Sequence, residues 1–286
     1  MDSSSNNNVR TFSPRSSLTA RDPGLAFTDG SMQFEAWSEA LWDPAARTIV
    51  AATQLKEGER VLDACCGSGA ATIPAALAVG ASGSVDGVDL SSGLLASAGK
   101  KLGAAHILNT TLTHADVTAW RGHRTFDAVL CSYSIFFFQD MSDGVAHLLS
   151  MLRPDGRIVL NTWVRGALSP LAELILQAAI TERPRLAEVI PLANQNMDLI
   201  SNADSLHDWL AKLGLTAIEV ETHPLKLSVD AEMAWALVMG SGWRTLLPRD
   251  PDAIARVSKE FLGSIRALGS QVEFNSDTLV AKASKA

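Results

Sequence analysis

Five short runs rich in apolar and β-branched residues, at 60–64, 84–89, 111–115, 126–131 and 156–162, are separated by helical stretches near 70–79, 91–102 and 141–152. Parallel strands need crossover connections, and helices usually supply them, so this alternation predicts a doubly wound α/β sheet. Ahead of it, Phe34, Trp37, Leu41 and Trp42, then Ile49 and Val50, predict two short amphipathic helices broken near Pro44, a residue suited to a helix start. After Trp163 the pattern turns mostly helical, with Leu206, Trp209, Leu210 and Leu213 forming a stripe that Gly214 closes. Two further β-like runs, 216–222 and 277–283, predict antiparallel pairing at the end of the sheet, with a helical excursion over 233–268 between them. The expected architecture is a mostly parallel seven-stranded sheet with an antiparallel last strand, and N-terminal helices and helical insertions that form a lid. The chain divides accordingly into a mobile tail (1–25), an N-terminal helical lid (26–55), the sheet core (56–165) and a cap carrying the last two strands (166–286).

Composition narrows the function classes. Hydrophobic residues make up 47% and charged residues 19% of the chain, and no apolar run reaches the roughly 18–20 residues that a membrane-spanning helix needs. The polar start has no apolar stretch of the secretory kind, so the expected location is the cytoplasm. A net charge of −7 with no dense basic run argues against nucleic acid as a partner. Cys65, Cys66 and Cys131 are too few for a disulfide framework, and nothing shows metal-ligand spacing, so reduced thiols and no metal are expected.

The chemistry concentrates where strands end. Residues 61–72 run from an apolar strand carrying Asp63 into a tight turn with Gly67 and Gly69, then into a small-residue helix. Glycine permits unusual dihedrals and close approach of a ligand to the backbone. Asp89 ends the next strand, 20 positions after Gly69, where a carboxylate can accept two hydrogen bonds from a ribose diol, while Ser91 is the better helix cap. Asp116 follows the third strand, and Cys131 and Ser132 end the fourth.

This ordered series resembles the class I S-adenosylmethionine-dependent methyltransferases. Asp63, Gly67 and Gly69 resemble their first motif in the Asp-x-x-Cys-Gly-x-Gly variant of the ubiquinone/menaquinone-type branch, with Cys65 where the family often has glycine. Leu152 to Arg157 resembles the usual turn into strand five, and Trp42-Asp43-Pro44-Ala45 and Gly240-Ser241-Gly242-Trp243 resemble flanks of the small-molecule branch. The resemblance implies S-adenosylmethionine as cofactor. Asp63 would hold its amino group, Ala64, Cys65, Gly67 and Gly69 would line its methionine and ribose portion, and Asp89 with Leu90 would take the ribose side. Asp116 and Val117 would meet the adenine, and Cys131 and Ser132 the methionine part.

Two other readings share part of these motifs. A nicotinamide-dependent dehydrogenase wants a third glycine or alanine, but Thr72 stands there, and Asp63 would repel a diphosphate where it would attract an ammonium. A cofactor-binding regulatory module without turnover keeps the same motifs, so only an assay separates it. The expected acceptor is a small, aromatic or apolar metabolite, methylated at oxygen, nitrogen or carbon. Phe34, Trp37, Trp42, Phe136, Trp163, Trp235 and Trp243 are the candidates to bind it, beside a packing role for many of them. Tyr133, after strand four, is the candidate catalytic side chain, with orientation of the substrate as its other reading; His223 is a weaker candidate base. A homodimer stays open.

Overall fold

A computed structural model describes residues 23–122 and 125–285 of the chain. The tail expected over 1–25 falls outside the described residues as far as position 22, and the next three residues already belong to a helix. That helix, α1 (Pro23–Asp29), leads into α2 (Ser31–Glu35), a wide π turn (Ser38–Trp42) and α3 (Asp43–Thr53). Pro44 sits in the first turn of α3, where its missing N–H has no partner to lose. The expected helix start at Pro44 is thus present, with a π turn directly before it.

The core follows as β1 (Arg60–Ala64), α4 (Thr72–Val79), β2 (Ser84–Asp89), α5 (Ser92–Ala104), β3 (Thr110–His114), β4 (Phe126–Ser132), α6 (Met141–Ser150) and β5 (Leu152–Trp163). The cap contributes α7 (Leu171–Glu182), α8 (Leu192–Leu199), α9 (Ala203–Lys212), β6 (Leu215–His223), β7 (Lys226–Val229), α10 (Ala231–Gly240), α11 (Pro251–Leu268), β8 (Val272–Asn275) and β9 (Thr278–Lys285).

Seven strands lie in the order β3-β2-β1-β4-β5-β9-β6, all parallel except β9, which runs antiparallel to both of its neighbours. The expected sheet is thus present, and the order reverses at β1, so a crevice opens beyond the carboxyl ends of β1 and β4. Register brings those ends level: Ala64 pairs with both Val88 and Cys131.

One sheet face buries Leu62, Val129, Ile158 and Leu160 with Val145 and Leu148 of α6 and Leu206 and Leu210 of α9; the other buries Val61, Leu130 and Val159 with Ile49 of α3 and Ala75 and Val79 of α4. A further cluster, outside the sheet, joins Trp37 and Leu41 to α7, α10 and α11. In α11 the apolar positions Ala253, Val257, Phe261 and Ile265 recur every four residues and are buried, and Asp250 caps its start by accepting the Ala253 amide.

Two details depart from the sequence pattern. The Pro154-Asp155-Gly156 turn is absorbed into β5 as an irregularity, with the register jumping between Phe126 and Ala128 and Asp155 at φ 59°. The helical excursion over 233–268 is flanked by a two-stranded ribbon of β7 and β8, whose four-residue strands are too short to show periodicity.

Candidate functional site

The turn after β1 is built from left-handed backbone: Cys65 (φ 59°), Gly67 (φ 53°) and Gly69 (φ 85°). A side chain on Gly67 would be strained by that dihedral, and the nearest atoms around it belong to Leu94 and Phe34, each 3.8 Å from where a Cβ would stand. Tyr133, just beyond β4, is also left-handed (φ 48°). Two non-glycine residues in this conformation at adjoining strand ends mark a place where geometry outweighs backbone comfort.

Asp63 is buried, 1% exposed, beneath the turn, and its Oδ2 accepts the Thr72 hydroxyl at 2.5 Å. Burial, and next to it the charge of Asp89, push its carboxyl up to about 7 against the opposing Thr72 hydrogen bond. Asp89 is also raised by burial, although two backbone amides counter this: Gly67 N–H donates to Oδ2 at 2.8 Å and Ser91 N–H to Oδ1 at 2.7 Å. Asp89 thus ties the glycine turn to the end of β2. Ser91 caps α5 through the Leu94 amide, as its position suggested, and shares a hydroxyl contact with Thr28 of α1. Leu90 is 46% exposed beside Asp89, an apolar face free to meet a ring.

The remaining expected cofactor residues lie at or just beyond the carboxyl ends of β1, β2, β3 and β4, with different exposure. Cys131 is buried at the end of β4, and Ser132 donates to Asn161 Oδ1 at 3.0 Å. The Cys65 thiol is pushed up by its hydrogen bond with Cys131 and by burial, and Cys66 by burial. Asp116 is exposed and uses Oδ1 to accept the amide and hydroxyl of Thr118, capping its own turn, with Val117 buried behind it. Ala64 is buried within the sheet.

A continuous series of rings crosses the crevice. Phe136 lies against Phe137 (centroids 4.8 Å), Phe137 against Phe27 (5.8 Å), Phe27 against Phe34 (6.2 Å) and Phe34 on Trp42 (4.7 Å, stacked). Trp42 then meets Tyr133 edge-on (6.1 Å), and Tyr133 stacks on Trp163 at 3.9 Å. Gly242, before Trp243, admits the Phe137 ring, since a Cβ there would stand 2.7 Å from it. Of the expected acceptor residues, Phe34, Trp42, Phe136 and Trp163 are therefore brought together, and Trp243 stands one residue from the contact with Phe137.

Trp37 and Trp235 are not in this series. Trp37 is 1% exposed, donates its indole N–H to the Met233 carbonyl and packs near Phe274. Trp42, whose amide reaches back five residues to the Trp37 carbonyl through the π turn, stacks instead on Phe34. Trp235 packs against Phe261 of α11. Trp37 belongs to the buried cluster of the cap, and Trp235 packs against that cluster half-buried.

Tyr133 has its hydroxyl paired with Thr278 Oγ1, and burial drives its phenol well above the ordinary range, so at neutral pH it keeps its proton. Among the described residues no group of His, Cys, Asp and Glu is arranged to hold a metal. Three participants escaped the sequence reading: Thr72 under Asp63, Phe27 in the ring series and Asn161 behind Tyr133. Only Asn161 left a trace, as a polar residue directly after the apolar run 158–160 of β5.

A methyltransferase domain family matches residues 61–156. The chain is 33% identical over 204 residues to aklanonic acid methyltransferase DauC of Streptomyces sp. (strain C5), covering 69% of this chain and 93% of that protein. It is 28% identical over 254 residues to nocamycin O-methyltransferase of Saccharothrix syringae, covering 82% and 87%. In fold it is similar to a SAM-dependent methyltransferase from Aquifex aeolicus, with a TM-score of 0.54 at 12% identity over 90% of this chain and 99% of that one.

Proposed function

The chain belongs to the class I S-adenosylmethionine-dependent methyltransferases and transfers the cofactor's methyl group to a small molecule, and on that premise we propose that the acceptor is an aromatic or apolar metabolite held by the ring series over the glycine turn. The single observation behind this reading is that series, Phe136 to Trp163, laid across the crevice beside Gly67. Such surfaces favour planar, weakly charged ligands. One relative is by name an O-methyltransferase, which favours an oxygen nucleophile.

The crevice suits the cofactor. Asp63 is a buried carboxyl whose raised affinity for a proton marks a site awaiting positive charge, and Leu90 offers an apolar face beside Asp89. We assign the amino group to Asp63, the ribose to Asp89, the adenine side to Leu90, Asp116 and Val117, and the methionine portion to the backbone at Ala64, Cys65, Gly67 and Gly69 and to Cys131 and Ser132. When bound, S-adenosylmethionine supplies an electrophilic methyl on a sulfonium whose departure as a thioether needs no proton. The protein's share is then positioning and exclusion of water, which the N-terminal helices and the cap accomplish by roofing the strand ends. Tyr133 orients the acceptor as part of the pocket wall, its neutral phenol held by Thr278. We place the enzyme in the cytoplasm, where the thiols of Cys65, Cys66 and Cys131 stay reduced.

A screen of aromatic acceptors with labelled cofactor, with the methyl located by mass spectrometry, tests this reading. Hydroxylated polycyclic compounds are expected to be labelled, and turnover confined to charged aliphatic acceptors would reject it. Trp42→Ala is expected to raise the Michaelis constant of the acceptor about tenfold while moving that of the cofactor little, as for a side chain lost from one binding surface. Equal changes in both constants would make Trp42 a packing residue.

Cofactor binding should also titrate. Because the folded value of Asp63 lies above its ordinary 3.8, the folded protein keeps a proton between about 3.8 and 7 that the unfolded chain releases. This group's contribution to stability is full below the ordinary value and is lost as pH rises through 7. A bound ammonium favours the ionised carboxylate, so affinity for S-adenosylmethionine is expected to rise by up to about tenfold per pH unit below about 7 and to level off above it. Calorimetry between pH 5.5 and 7.5 reads this, and Asp63→Asn should flatten the profile; a flat wild-type profile would separate Asp63 from the amino group.

A further inference from the structure

Asn161 lies in β5 with its side chain wholly buried, following Val159 on the sheet face that packs against α3 and α4. Its Oδ1 accepts the Tyr133 amide at 2.8 Å and the Ser132 hydroxyl at 3.0 Å. A backbone N–H can only donate, so the contact with Tyr133 fixes which end of the amide is oxygen. The nitrogen, Nδ2, is therefore turned away from that contact, and with two hydrogens to give it meets no acceptor among the described residues.

Buried polar groups are seldom left in this state, and an apolar residue continuing the run from Val159 would avoid the cost altogether. The residues around Asn161 belong to the crevice. Ser132 is its register partner on β4, Tyr133 comes next in the chain, and Trp163, two residues further along β5, stacks on Tyr133. The donor thus stands at the foot of the ring series, next to the rings expected to grip the acceptor.

We propose that Asn161 is a specificity residue of the acceptor pocket, whose Nδ2 donates a hydrogen bond to a carbonyl-type oxygen on the acceptor's ring system when Tyr133 and Trp163 shift to admit it. The inference rests on the aromatic-acceptor reading above and narrows it to oxygenated rings. A donor with no accepting capacity rewards an oxygen at that edge of the ligand, and a plain hydrocarbon edge would leave the amide unsatisfied.

The matched pair 1-tetralone and tetralin differs by one carbonyl oxygen, and calorimetry on the full chain saturated with S-adenosylhomocysteine compares them. Wild type is expected to bind tetralone at least tenfold more tightly. Asn161→Val and Asn161→Leu remove the donor and leave no proton in its place, while the Tyr133 amide keeps the backbone carbonyl of residue 161, which it reaches at 3.3 Å. Both should lose the tetralone preference, hold tetralin affinity and leave S-adenosylhomocysteine affinity unchanged, with thermal melts reporting their folding. A preference that survives in either folded variant overturns the proposal. So does a tenfold loss of S-adenosylhomocysteine affinity with the preference intact, which would give Nδ2 to the cofactor. Wild type binding both rings equally removes Asn161 from recognition while sparing the aromatic pocket, whereas wild type binding neither ring rejects the aromatic-acceptor reading and this proposal together.

Discussion

Asp89→Ala is expected to weaken S-adenosylmethionine binding by about a hundredfold. The lost side chain accepts two amides, from Gly67 and Ser91, and in the proposed complex it also accepts from the ribose. Hydrogen bonds to a charged acceptor contribute about 1.5–3 kcal/mol each, and about 1.4 kcal/mol is a factor of ten, so losing even two such bonds reaches that magnitude. The effect has two parts, since the variant frees the glycine turn from β2 as well as deleting ribose contacts. Asp89→Asn helps to separate them, because its carbonyl can still accept one of the amides. Stability should respond far less than binding: removing a carboxylate whose burial opposes its charge offsets part of the lost hydrogen bonding. Calorimetry against S-adenosylmethionine and a melting curve on the same sample read both quantities. Unchanged affinity in a folded Asp89→Ala protein would remove Asp89 from the cofactor site.

Trp37→Ala is expected to destabilise the protein by about 3–5 kcal/mol, the usual cost of truncating a large buried aromatic. The ring is sealed among Leu41, Phe274 and the helices of the cap, and its indole N–H satisfies the Met233 carbonyl, which the substitution would leave without that donor. For a chain of this size a loss of that order lowers the melting temperature by about 10 °C. Trp42→Ala, at a half-buried position, should lower it less and act on the acceptor's Michaelis constant instead. The two tryptophans lie five residues apart on one wound segment, so the contrast isolates surroundings from residue type. A Trp37→Ala protein that melts like wild type but binds acceptor poorly would return Trp37 to the pocket.

The sequence by itself determined the sheet and the order of its motifs. Alternating strand and helix patterns leave few topologies open, because parallel strands require crossovers and crossovers have one favoured hand. The strand ends at Ala64, Asp89 and, to within one residue, Ser132 were legible for the same reason: glycine turns, cap residues and apolar runs are local signals whose physics acts within a few residues. Long-range companionship was decided by the tertiary structure alone. Periodicity placed Trp37 and Trp42 on the same lid, but the packing of α10, β8 and α2 around them buries one in the helical cluster and stacks the other on Phe34. The ribbon of β7 and β8 joins residues more than 40 positions apart through strands of four residues, too short for any pattern to announce. Asn161 reads in the chain as one polar residue in a strand. Only the folded register, which gives its oxygen to Tyr133 and leaves its nitrogen without a partner, turns it into a candidate for recognition. Local propensity writes elements and turns into the sequence, whereas which side chains share a buried space depends on contacts between segments that no local pattern encodes.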